Sequence, residues 1–274
     1  MEVKGSISWS ALYTLFTVGF ILLTSWELAE KVVWIVNTGR LHFLGNVKYV
    51  LAAINNEKDP YAQHQGFCLL ESIARHDPRM RRRLFVLDEQ RVSPWRYVSK
   101  AIISTLARLT KDLHGLKQEY DKLKKSKGKR SAFGKLQRFV NFLFYVDASQ
   151  KAESVAHQIQ PCVWASQTAA YLSVAVLKGQ GARNEDPYGE VSHSLEDILN
   201  AMIALRIALS EFLKARVNLQ GNSGRFVVAR AQWLFLDTRT DDALTIIVNG
   251  YYEYLRDFQF PPEHAKLLQR YLDS

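Results

Sequence analysis

From Gly5 to Trp26 the chain carries no charged side chain, and this opening run constrains the fold more than any other feature. Leu12, Leu15, Phe16, Phe20, Ile21, Leu22 and Leu23 make its middle strongly apolar, and Trp26 closes it. A helix of about 20 apolar residues spans the hydrocarbon core of a bilayer, so the run is long enough for a membrane helix. Seven Ser and Thr residues from Ser6 to Ser25 dilute it, and the competing reading is a buried first helix of a soluble domain. Trp9, Tyr13, Trp26 and Trp34 lie near the ends of the run, where amphipathic rings prefer the headgroup layer; this favours the membrane. No Ala-X-Ala-like cleavage site follows, and apolar residues continue through Val36, which argues against a signal peptide. Lys31, Arg40 and Lys48 follow the run, whereas Lys4 precedes it opposed by Glu2. The positive-inside bias then puts the bulk of the chain in the cytoplasm or nucleoplasm. Residues 1–37 are therefore expected to form a membrane helix and its flank.

Beyond this segment the apolar residues recur at helical spacing, with no alternating stretch of the strand kind. The expected fold class is all-α, a membrane helix followed by a bundle or stack of about nine helices. Asp59-Pro60, Asp77-Pro78 and Ser93-Pro94 each pair an N-cap side chain with a proline suited to the first helical position. The third pair opens a long helix whose inner face is Trp95, Val98, Ile102, Leu106, Leu109, Leu113, Leu116, Tyr120 and Leu123. Ser126, Gly128 and dense positive charge oppose its continuation. The chain thus divides into a first helical part over 38–125, a basic linker over 126–132 and a second helical part over 133–274. A very apolar helix is expected from Phe133 to Val146, buried or lying on a membrane surface, then one capped by Ser149 and one opened by Pro161. Gly179 to Gly189 reads as a loop, and Ser194 with Asp197 as a capping box. Asp241-Asp242 should interrupt the helix that follows the turn at Gly221 to Gly224.

The net charge of +9 is concentrated: Lys111 to Arg138 contain ten Lys and Arg against Asp112, Glu119 and Asp121. Lys122, Lys124, Lys125, Lys127, Lys129 and Arg130 form its centre, and Arg79, Arg81, Arg82 and Arg83 form a second cluster. Either could meet lipid phosphate or an acidic partner, against the alternative of a solvated face. The interleaved aromatics of single-strand binders are missing around both, so nucleic acid is not an expected partner. Catalytic signatures are also missing, including His-Glu-X-X-His, Gly-X-Ser-X-Gly and a phosphate loop. Cys68 and Cys162 have no Cys or His at ligand spacing. The expectation is a protein that is not an enzyme, with no catalytic residues, no cofactor, no metal and no small-molecule substrate.

Several stretches resemble one family. YAQHQGFCLLESIARHDPRMRRRLFVLDE (Tyr61 to Glu89) and SPWRYVSKAIISTLARLT (Ser93 to Thr110) come first. FVNFLFYVDASQKAESVAHQIQPCVWASQTAAYLSVAVL (Phe139 to Leu177) and EHAKLLQRYL (Glu263 to Leu272) follow. In order and spacing they are similar to the cytosolic half of the nuclear-division-cycle (Ndc) family of transmembrane nucleoporins. That resemblance implies a structural anchor that tethers nuclear pore scaffold proteins to the pore membrane and supports pore assembly. It also implies membrane lipids and other nucleoporins as partners, among them the propeller ALADIN and the adaptor and linker nucleoporins of the inner ring. Two departures stand out. The family has about six membrane helices, so this chain would correspond to the last of them plus the cytosolic domain; and the Lys-rich stretch sits where the family tends to have a Ser/Pro-rich insertion. The alternative to the anchor is a peripheral helical module that binds anionic lipid or nucleic acid through its basic clusters.

Overall fold

A computed structural model describes residues 9–38, 47–56, 58–86, 93–127, 151–178, 190–220, 227–255 and 258–272. Among these residues all regular structure is helical, in two compact units, Met1–His42 and Phe43–Ser274. The expected helix over 133–146, the Ser149 cap, the loops at 179–189 and 221–224, and most of the linker 126–132 lie outside the described residues.

The first unit holds a single uninterrupted helix, α1 (Trp9–Thr38), of 30 residues, or about 45 Å at 1.5 Å per residue. Length is therefore sufficient. Yet among the described residues no helix is long and apolar enough to cross a membrane, and the spanning helix expected over residues 1–37 finds no support in the structure. Composition supplies the reason: hydroxyl residues punctuate the apolar run, and Glu27, Glu30 and Lys31 follow it within the same helix.

The second unit comprises α2 (Val47–Ile54), α3 (Pro60–His76), α4 (Pro78–Phe85), α5 (Pro94–Lys127), α6 (described over 151–156), α7 (Ile159–Lys178), α8 (Glu190–Gln220), α9 (Val227–Tyr251) and α10 (Pro262–Leu272). The proline starts form as local chemistry dictates. Asp59 accepts from the Tyr61 and Ala62 amides at 3.0 and 3.1 Å, and Asp77 from those of Arg79 and Met80 at 3.0 Å, satisfying donors that a first turn leaves open. Ser93 accepts from the Trp95 amide at 3.1 Å and donates to the Leu84 carbonyl at 3.2 Å. That buried hydroxyl fixes the angle between α4 and α5.

One hydrophobic core runs from α2 to α10, and the expected inner face of α5 is buried from Trp95 to Tyr120. Its main partner is α8. The Trp95 indole donates to Ser194 Oγ at 2.8 Å, Lys117 Nζ donates to Glu211 Oε2 at 2.8 Å, and Tyr120 meets the Phe212 ring edge to face. These contacts advance in the same sense along both helices, so α5 and α8 run parallel. By contrast α7 runs against α5, with Cys162 Sγ 3.6 Å from the Thr105 carbonyl and Gln158 donating to Asp112 at 2.9 Å. At Gly66 of α3, an added Cβ would lie 2.9 Å from the Ile54 amide nitrogen. Only glycine allows α2 to pack that closely.

Two local expectations are corrected. Ser194 does not cap α8, which begins at Glu190; its hydroxyl donates to the Val191 carbonyl at 3.2 Å and receives the Trp95 indole. Nor does Asp241-Asp242 interrupt α9, which is continuous from Val227 to Tyr251. Asp241 faces an arginine of α8, and that pairing removes the reason for a break.

Candidate membrane and partner surfaces

Among the described side chains of α1, large apolar residues are exposed on several sides. Leu15 is 79% exposed and Leu23 70%, and Phe16, Phe20, Ile21, Leu22 and Trp26 are exposed as well; the Leu12 side chain lies outside the described residues. A helix apolar all round is normally enclosed by protein or lipid. The Thr17 hydroxyl donates to the carbonyls of Tyr13 and Thr14, each at 3.0 Å, and Thr24 does the same to Phe20 and Ile21 at 2.9 and 3.0 Å. These two donors are thus satisfied within the helix, which lowers the cost of removing them from water.

The four arginines of α4 divide by role. Arg81 donates to the Ala74 carbonyl at 3.1 Å and closes the end of α3, and Arg83 lies 3.8 Å from the Met80 sulfur. Arg79 and Arg82 are exposed. Of the second basic group, Lys122 is exposed near the end of α5, Lys124, Lys125 and Lys127 occupy its last turns, and Lys129 and Arg130 lie outside the described residues. The structure therefore gives no joint placement for these two clusters.

Where α8, α9 and α10 meet, a polar junction forms. Arg206 Nη1 pairs with Asp241, its Nε lies 3.6 Å from Asp237 Oδ1, and its guanidinium sits 5.2 Å above the Tyr271 ring. The Tyr271 hydroxyl donates to the same Asp241 oxygen. About two turns away, His264 of α10 is 2.8 Å from Asn200 Oδ1, and burial holds its pKa below the usual value while nearby Glu263 opposes the shift. His64 of α3 packs edge-on to Trp164 of α7, and burial lowers its pKa too. Burial raises that of Cys162 well above an ordinary thiol, with Arg108 opposing. A thiol so placed packs as a small hydrophobe. Among the described residues no three His, Cys, Asp or Glu side chains are grouped to hold a metal ion.

A family model described as Nucleoporin protein Ndc1-Nup matches residues 116–269. The matched span is more than half of the 274 residues. The chain belongs to the Ndc1-Nup family of nucleoporins. No curated protein matches it. The match starts inside α5 and ends inside α10, so it covers the α8–α10 junction except for Tyr271. This family is structural rather than enzymatic, and it points to a place at the nuclear pore with other nucleoporins as partners.

Sequence reasoning missed two features of this Ndc1-Nup chain. The first is the Arg206 junction, whose members lie up to 65 positions apart and carry no local signature. The second is a groove on the outer side of the α5/α8 pair. One hollow of about 460 Å³ is lined by Arg96, Lys100, Ser104, His193 and Asp197, among others. Another, of about 530 Å³, is floored by Ala107, Gly115, Ala201 and Ala204. Gly115, inside a long leucine-rich helix, was the signal available.

Proposed function

We propose that this Ndc1-Nup chain anchors pore scaffold proteins at the nuclear pore membrane, with α1 embedded in the bilayer and the faces of α2 to α10 recruiting nucleoporins. The observation that carries this reading is the exposure of Leu15, Phe16, Phe20, Ile21, Leu22 and Leu23 around α1. Burying each such side chain in hydrocarbon is favourable by about 1.5–3 kcal/mol, and the threonine hydroxyls between them already bond to their own backbone. Family membership supports the destination. Partners of the kind the resemblance implies, an ALADIN-like propeller and the adaptor and linker nucleoporins of the inner ring, belong to this proposal. So do contacts of lipid phosphate with the exposed Arg79 and Arg82 at the membrane surface.

Alkaline carbonate extraction of the full chain from cells, joined to proximity labelling, tests the proposal. The expected outcome is retention in the membrane pellet and enrichment of nucleoporins among labelled neighbours. Release into the supernatant would remove the embedded helix, and neighbours drawn from mitochondria or the plasma membrane without nucleoporins would remove the pore assignment.

A further inference from the structure

The groove along α5 and α8 is one continuous feature. Its first hollow ends at Ser104 on α5 and Asp197 on α8, and the second begins at Ala107 and Ala201. On each helix the step is about one turn, and the helices are parallel, so the two hollows are consecutive stretches of one channel. From Arg96 to Gln118 the channel follows α5 for about 33 Å at 1.5 Å per residue, the length of a helix of about 20 residues.

Part of its lining is small residues. In the second hollow Ala107, Gly115, Ala201 and Ala204 stand between Lys111, His114 and Gln118. Gly115 stands out, because a Cβ added there would meet nothing within 4 Å. No close packing among the described residues calls for glycine here, yet glycine in a helix interior disfavours the helix relative to alanine. A glycine without an internal contact leaves room for something outside to approach the backbone closely. Small residues serve that purpose where two helices cross at short range.

Cations outnumber anions on the rim. Arg96, Lys100 and Lys111 line it against Asp197 alone, while Glu211, further along α8, is engaged by Lys117 at 2.8 Å. A narrow apolar floor between cationic walls selects for carboxylates flanking a small apolar face.

We infer that the α5/α8 groove is the docking site for an amphipathic helix of a partner protein, one that carries acidic residues on either side of an alanine- and leucine-type face. The inference deepens the recruiting role proposed above and names the class of ligand at one of its surfaces. It does not depend on where α1 resides.

The test uses the full chain in detergent micelles and a panel of fluorescein-labelled helical peptides of 20 residues, built from alanine and leucine on one face and glutamate on the flanks. A matched panel carries lysine in place of glutamate. Fluorescence anisotropy should show binding of the glutamate peptides and not of the lysine peptides, weakening as salt rises. Gly115→Leu, which fills the floor, should lower affinity at least tenfold, and Lys100→Glu with Lys111→Glu should transfer preference to the lysine panel. Gly115→Ala is the folding control, with a thermal midpoint at or above that of the unaltered chain. Equal binding of both panels, absence of binding by any glutamate peptide, or unchanged affinity in Gly115→Leu would each overturn the inference. Carbonate extraction of the same variants should match the unaltered chain, so failure of the groove and failure of the membrane anchor give different results.

Discussion

α1 and α5 are both long helices, 30 and 34 residues, yet they solve opposite problems. α5 gathers its apolar residues on one side, from Trp95 to Tyr120, and buries them against α7 and α8; its other side carries Lys100, Lys111 and His114 to water. α1 spreads Leu15, Phe16, Phe20, Ile21, Leu22 and Leu23 around its circumference and exposes them all. Its two helix neighbours cover one side of α5, whereas the exposed apolar side chains of α1 would need protein or lipid on several sides. α1 is the more apolar of the two, and its apolar side chains are also the more widely spread in angle.

The sharpest way to break this contrast is to charge α1. Leu15→Arg with Leu22→Arg should cost about 5–7 kcal/mol of membrane partitioning, at about 2.5–3.5 kcal/mol for each arginine near the middle of an inserted helix. Carbonate extraction should find the double variant in the supernatant, with the unfolding transition of the helical body unmoved. Retention in the pellet would place α1 in a different medium. The complementary cut is Trp95→Ala. This removes a fully buried ring and the bond to Ser194 and should cost about 3–5 kcal/mol, read as a lower denaturant midpoint with membrane retention intact. At the far end of the core, Tyr271→Phe deletes the hydroxyl that reaches Asp241. A loss of about 1 kcal/mol is expected, seen as faster amide exchange confined to α10.

The smallest effect concerns pH. Burial places the folded pKa of His264 below its ordinary 6.5, so the unfolded chain takes up a proton first as pH falls. Stability from this group is complete above pH 6.5 and declines as the pH drops through that value toward the folded pKa. The protection of α10 amides, taken relative to the intrinsic exchange rate at each pH, should therefore be lower at pH 5 than at pH 7, and His264→Gln should flatten that dependence. An opposite slope would show that Glu263 outweighs burial.

What could be read from the sequence was what is settled locally. Asp59-Pro60, Asp77-Pro78 and Ser93-Pro94 cap helices because the capping oxygen and the amides it serves lie within three residues. The stripe of α5 was legible because its period is a property of one helix. Ser194 was misread as a cap since its partner, the Trp95 indole, lies 99 positions away. Asp241 was expected to break α9 for the same reason: its stabilising cation belongs to α8. The groove was illegible because a hollow is made by two helices at once, although Gly115 marked the place. The segment thought to span a membrane shows the opposite failure, in which a local signal was visible but too diluted by hydroxyl and charged residues to settle its surroundings.

The parallel run of α5 and α8 has a consequence for how the molecule is made. Trp95 and Ser194 are joined across 99 residues, so when α5 leaves the ribosome the helix that will cover its apolar side has not been synthesised. At about 5–20 residues per second, roughly 5–20 s pass before α8 emerges. Throughout that interval a sticky, half-finished chain is present, and a nascent-chain chaperone that shields the Trp95 to Tyr120 side during translation would raise the yield of folded protein.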